Sequence, residues 1–120
     1  MIGHVVIDGL RVESPNKKLY RHWRKNHRQA KHEHRIVALV LRSELGRAKV
    51  APSGQHVLLK RIGPRKLDDD NLRGALKAVR DEVAAFLGVD DGDARVQWEY
   101  AQGKGEPRQY AVIIAFEEAA

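Results

Sequence analysis

The sequence predicts a small α/β fold (α+β in finer terms) with elements in the order β-α-β-α-β-β, forming a mixed four-stranded sheet with two helices packed on it. Three observations carry this reading. Short apolar runs with strand-like alternation recur along the chain, two longer segments repeat their apolar residues at helical spacing, and Gly or Pro stands at most of the boundaries. The length of 120 residues suits one domain, 1–120, large enough to bury a core and small enough that a second copy is an expected partner.

His4 to Val12 alternates loosely and is rich in Val, Ile and Leu, which predicts the first strand, broken by Ser14-Pro15-Asn16. From about Lys17 to Leu45, Leu19, Trp23, Ala30, Val37, Leu41 and Leu45 recur at helical spacing, with Gly46 as the stop. Trp23 is expected in the core, and the alternative reading makes Leu19 a core anchor beside it, with the basic residues merely solvating the outside. Pro52-Ser53-Gly54 marks a loop, His56 to Ile62 a second strand, and Gly63-Pro64 its end. A helix starting near Asp69 gathers Leu72, Ala75, Leu76, Val79, Val83, Phe86 and Leu87 on one arc. Arg73, Gly74, Lys77 and Asp81 lie near Asp70 on the other side, so Asp70 points away from the core. Gly88 caps this helix, Val89-Asp90-Asp91-Gly92-Asp93 forms an acidic turn, and Arg95 to Tyr100 alternates as a strand. Gln102-Gly103-Lys104-Gly105-Glu106-Pro107 is expected to be a hairpin connection into a last strand, Gln109 to Phe116.

The charges are segregated. Residues 1–66 hold 16 basic and 4 acidic side chains, a net +12, whereas residues 67–120 hold 6 basic and 12 acidic ones, a net −6. A basic half of this size attracts nucleic acid by neutralising phosphates and releasing counterions. The basic and aromatic residues after Pro15 read as a DNA-contacting helix face, with Lys17, Lys18, Arg21, Arg24, Lys25 and Arg28 as the candidate contacts. Arg65 and Lys66 join them ahead of the second helix. The absence of cysteine excludes disulfides, thiolate metal sites and a cysteine nucleophile, and fits a cytoplasmic protein. The N-terminal apolar run is too short for a signal peptide or membrane span, so no membrane partner is expected.

Acidic groups inside a nucleic-acid-binding chain call for a reason, and holding a divalent cation is a chemical one. Asp68-Asp69-Asp70-Asn71 enters one end of the second helix and Asp90-Asp91 leaves the other. One Asp suffices to cap a helix, and three in succession exceed that need, although capping remains the structural alternative. A helix from 70 to 88 would be about 27 Å long, so the two acidic turns do not meet merely by lying at its ends. An early break in the helix, return of the 89–93 turn along it, or completion by a second subunit would bring them together. Two other readings are weaker: His27, His32 and His34 lack the spacing of a zinc site, and Gly103-Lys104-Gly105 lacks the length of a phosphate loop.

The run Leu67-Asp68-Asp69-Asp70-Asn71-Leu72, then a helix, then Val89-Asp90-Asp91, resembles the Asp-x-Asp-Asn … Asp-Asp signature of the RusA family of Holliday junction resolvases. The early strand with Ser14-Pro15-Asn16 and Tyr20 resembles that family's N-terminal frame. The resemblance implies a homodimeric α/β endonuclease, frequently encoded by phages or prophages, that cuts four-way DNA junctions symmetrically with Mg²⁺ or Mn²⁺ in recombination and repair. Residue by residue, Asp68 and Asp70 match the aspartates of the first motif and Asp91 the second aspartate of the later pair. The family's lysine one turn after the second aspartate falls here on Gly74. Lys77 and Arg73 are the candidates to replace it as catalytic cations. Two rival classes are a non-catalytic DNA- or RNA-binding module, whose aspartates only cap and turn, and a structural phage protein, which accounts for the charge but not for the acidic motif.

Overall fold

A computed structural model describes residues 1–15 and 23–119. Strand β1 (Gly3–Asp8) buries Val5 and Ile7 and turns His4, Val6 and Asp8 outward. It ends short of Val12 because Gly9 takes a left-handed φ of 80° and donates its N–H to the Tyr110 carbonyl at 2.8 Å. Leu10 and Val12 still bury beyond the turn.

Helix α1 (Trp23–Leu45) buries Glu33, Val37 and Leu41, one stripe at i, i+4 and i+8. Gly46, at φ 71°, closes it. Trp23 is not core: it is 66% exposed, with the Arg24 guanidinium 5.4 Å from its ring centre. It shares the stripe of Ala30 and Leu41, but it stands at the first turn of α1, well ahead of Glu33, the first buried residue of the helix. Leu19 and the expected start of that helix near Lys17 lie outside the described residues.

Strand β2 (Gln55–Gly63) alternates strictly, with Gln55, Val57, Leu59, Arg61 and Gly63 all buried. The predicted second helix is two segments, α2 (Asp69–Ala75) and α3 (Lys77–Leu87), divided at Leu76 with φ −92° and ψ 6°. The interruption falls two residues after Gly74, the poorest helix former of the run. Bonds from Leu76 N–H to the Leu72 carbonyl (3.1 Å) and from Arg80 N–H to the Leu76 carbonyl (2.9 Å) keep the segments nearly continuous. Of the predicted arc, Leu72, Ala75, Leu76, Val79, Val83 and Leu87 are buried and Phe86 is half-buried.

Strands β3 (Val96–Lys104) and β4 (Ala111–Glu118) complete a sheet of order β1-β4-β2-β3. β2 and β3 are parallel, joined through α2 and α3, while β4 is antiparallel to both β1 and β2. The expected β3–β4 hairpin is therefore wrong: β4 inserts between β1 and β2, and residues 105–110 cross the end of β2, where Gly105 N–H bonds the Gly63 carbonyl at 2.8 Å. The mixed four-stranded sheet itself is as predicted.

α1 packs on α3 and β1, and the Phe86 and Phe116 rings meet at 6.0 Å between α3 and β4. Val37, Leu41, Val79, Val83, Val57, Leu59, Val112, Ile114 and Phe116 form the centre of the core, each at most 1% exposed. The helices thus cover one face of the sheet, and the alternate positions Leu58, Lys60, Ile62 and Ile113 stay half-buried on the other. No described helix is long and apolar enough to cross a membrane.

Candidate functional site

The acidic motif is delivered by a clamp. Gln102, on β3, donates from Nε2 to the Leu67 carbonyl (2.7 Å) and accepts from the Leu67 N–H (3.0 Å). That pairing fixes the residue ahead of Asp68. Asp68 then caps α2, its Oδ1 accepting from the Asn71 N–H at 2.9 Å. Asp68, Asp69 and Asp70 are all exposed at the positive end of the helix.

Asp91 arrives by a different device. The turn after α3 folds back along the helix and is held by Arg80, whose Nη2 donates to the Asp91 carbonyl at 2.7 Å. Trp98 Nε1 donates to the same carbonyl at 3.1 Å, and the Asp91 carboxylate lies 3.9 Å from Arg80 Nε. Arg80 also bonds the Tyr100 hydroxyl at 2.9 Å and stacks 4.7 Å from the Trp98 ring centre. The turn thus returns along the helix and the helix is interrupted at Leu76, two of the routes left open by the sequence, but among the described residues they do not gather the carboxylates into one group. Arg80 escaped the sequence reading. Its only signal was its place seven residues after Arg73, on the flank that faces Trp98 and Tyr100.

The carboxylates divide between two flanks. Asp69, Arg73, Trp98, Glu99 and Tyr100 line a shallow depression of about 350 Å³ on the β3 side, with the Arg73 guanidinium 5.5 Å from the Tyr100 ring centre. Asp91 lies on this flank through Arg80. Asp70 sits roughly a quarter turn around the helix, with Gly74 and Lys77. Lys77 pairs with Asp81 at 3.2 Å, an exposed i,i+4 pair of little strength. Gly74 faces Pro15: a Cβ there would lie 2.3 Å from the Pro15 Cγ. The space beside Gly74 is therefore filled by a proline ring packed on the helix.

Among the described residues, no three acidic or histidine side chains stand close enough to hold a metal ion as a group. Magnesium, however, is usually held by one or two carboxylates with several waters and the phosphates of its substrate, in place of an all-protein cage. The exposed carboxylates of Asp68 and Asp70 fit that open kind of site, whereas Asp91 does not complete a triad with them. Beyond the motif, Asp93 is held down to about 2 by hydrogen bonds from the Arg95 side chain and N–H, and Arg95 is raised in return.

The candidate DNA contacts Arg24, Lys25, Arg28, Arg65 and Lys66 are exposed. Lys17, Lys18 and Arg21 lie outside the described residues. Between β1 and the motif opens a cleft of about 480 Å³, lined among others by Arg11, Glu13, Arg61, Arg65, Leu67 and Tyr110. No protein-family model matches the chain, and no curated protein matches it in sequence.

Proposed function

We propose that the chain is a metal-dependent, structure-specific endodeoxyribonuclease that resolves four-way DNA junctions as a homodimer, in the manner of the RusA family it resembles. One observation carries the reading: three successive exposed carboxylates open α2 beside a cleft lined by Arg11, Arg61 and Arg65. Such a juxtaposition offers a phosphodiester both cations to bind it and oxygens to hold a divalent ion near it.

Mg²⁺ or Mn²⁺ bound there would supply an activated water and neutralise charge on the phosphate. Asp68 and Asp70 would hold the ion, with Asp91 approaching from the returning turn and Arg80 and Trp98 setting that turn's position. Arg24, Lys25, Arg28, Arg65 and Lys66 bind the backbone without reading sequence. With position 74 occupied by the Pro15 contact, stabilising charge on the phosphate falls to Lys77 or Arg73. A two-fold dimer would set two such sites against the two-fold symmetry of a junction.

A second reading has its own support. The Asp68 side chain serves as a cap, and no group of three ligands is gathered among the described residues, as befits a non-catalytic nucleic-acid-binding module. Incubating a labelled four-way junction and its matched linear duplex with the protein, in Mg²⁺ and in EDTA, separates the two. The nuclease cuts the junction symmetrically in Mg²⁺ only; a module binds equally in both and cuts neither. Replacing Lys77 and Arg73 together by Ala should abolish cutting, and unchanged cutting would remove them from the mechanism.

A further inference from the structure

Arg61 stands where the fold has no need of a charge. It occupies the inward row of β2 after Val57 and Leu59, is 6% exposed, and pairs across the sheet with Val112, which is fully buried. A Leu or Met at this position would extend the core, whereas a buried guanidinium costs solvation free energy unless it is paired. Its Nη1 donates to the Arg65 carbonyl at 2.7 Å, and its Nε is buried with no partner among the described residues.

The surroundings add positive charge. Arg11, stacked 4.7 Å from the Tyr110 ring centre, and Arg65 share the cleft with Arg61, and Glu13 is its one carboxylate among the described residues. Three guanidiniums against one carboxylate leave the cleft cationic. Burial holds Arg61 below the ordinary arginine value, Tyr110 opposes that shift and Arg11 adds to it. The guanidinium is also fixed in place. It lies against Gly63 so closely that a Cβ there would fall 2.6 Å from Nη2 and 2.7 Å from Cζ. Gly63 has no left-handed φ, so its backbone does not demand glycine; its missing side chain leaves room for the guanidinium.

We infer that this cleft is a phosphate subsite, with Arg61 as its buried anchor and Arg11 and Arg65 as its outer clamps. An oxyanion supplies the compensating charge and the acceptor that Arg61 lacks, and the planar guanidinium suits two-point contact with phosphate. Leu67 lines the same cleft one residue before Asp68, so a phosphate held here lies on the approach to the acidic motif. That the phosphate belongs to a DNA strand rests on the nuclease reading; the affinity of the cleft for phosphate does not.

The test follows the Nε–Hε resonances of the arginines by ¹H–¹⁵N NMR. Three probes are titrated: inorganic phosphate, a single-stranded hexadeoxynucleotide without terminal phosphates, and the same strand carrying a 5′-phosphate. Saturable movement of the cleft arginine signals is expected, read at Arg11 and Arg65 in Arg61→Met and at Arg61 in the other variants, and weakened at least tenfold in Arg61→Met, in Gly63→Ala and in the double variant Arg11→Gln, Arg65→Gln. The last alters only exposed side chains and so guards against misfolding of the first two. Equal binding of both strands assigns the site to internal diesters, and preference for the 5′-phosphorylated strand assigns it to a strand end. No movement with any probe, or wild-type affinity in folded Gly63→Ala and in the double variant, overturns the subsite. Junction cleavage without phosphate binding would remove the subsite alone, and phosphate binding without cleavage in Mg²⁺ or Mn²⁺ would remove the nuclease alone.

Discussion

Replacing Gly74 by alanine sets two effects of opposite sign against each other. A glycine inside a helix costs about 1 kcal/mol relative to alanine, so propensity alone favours the substitution. The new methyl, however, would lie 2.3 Å from Pro15 Cγ and 2.8 Å from its Cδ, against an ordinary carbon–carbon contact of roughly 3.5–4.0 Å. The proline ring must withdraw by more than about 1 Å. It follows closely on Val12 and Glu13, which are buried, so the backbone must move with it. Overpacking of this kind costs about 1–3 kcal/mol, and after deducting the helix gain the net loss is about 1 kcal/mol. For a chain of this length that lowers Tm by roughly 4 °C. Thermal melts of four proteins test the reasoning: the natural chain, Gly74→Ala, Pro15→Ala and the double variant. Pro15 Cβ lies 3.8 Å from the position of the added methyl, an ordinary contact. In the Pro15→Ala background, Gly74→Ala should therefore raise Tm, a reversal equivalent to a coupling of about 2 kcal/mol. A Gly74→Ala variant more stable than the natural chain would refute the packing of Pro15 on the helix.

Arg80→Met removes the bonds to Tyr100 and to the Asp91 carbonyl. A stability loss of about 2 kcal/mol is expected, with faster hydrogen exchange at residues 89–93, and unchanged exchange there would show that Arg80 does not hold the turn. Gln102→Leu strands the N–H and carbonyl of Leu67 and should cost about 1–3 kcal/mol in a urea melt, with any nuclease activity falling further than stability accounts for. Asp93, held near 2 against an ordinary 3.8, favours the folded state above pH 3.8 and loses that contribution as the pH falls toward 2. Its side-chain carboxyl, followed by NMR, should titrate near 2 at low ionic strength and move toward 3.8 in 1 M salt, since the pair is exposed; a salt-independent midpoint would contradict the ion-pair origin.

The element order was legible because each element carries its own period: β2 alternates without a lapse, α1 repeats at i+4 through Glu33, Val37 and Leu41, and Gly46 and Gly88 mark the helix ends. Strand order was not, because pairing is decided between distant segments. Consecutive strands are usually neighbours, and that rule suggested a β3–β4 hairpin where β4 instead fills the space between β1 and β2. Trp23 misled for a related reason: periodicity tells which side of a helix is apolar, not where the covering layer ends. The aspartates of the candidate site stand out in the sequence as a motif, since a run of three exceeds what a cap needs. How Asp91 returns could not, because it depends on Arg80, which reads in sequence as one more surface arginine of a helix. Arg61 had a visible signal, a charged residue in the inward register of an otherwise apolar strand, that the strand pattern alone left without a meaning.

The most direct test of the functional account is single-turnover cleavage of a labelled four-way junction by the natural protein and by Asp70→Asn, with junction binding measured in parallel. The account predicts paired, Mg²⁺-dependent cuts by the natural chain, loss of cutting by at least a hundredfold in Asp70→Asn, and junction affinity retained or slightly raised by the lost negative charge. Cutting by Asp70→Asn at the natural rate, or a natural protein that binds the junction equally in Mg²⁺ and EDTA and never cuts it, would contradict it.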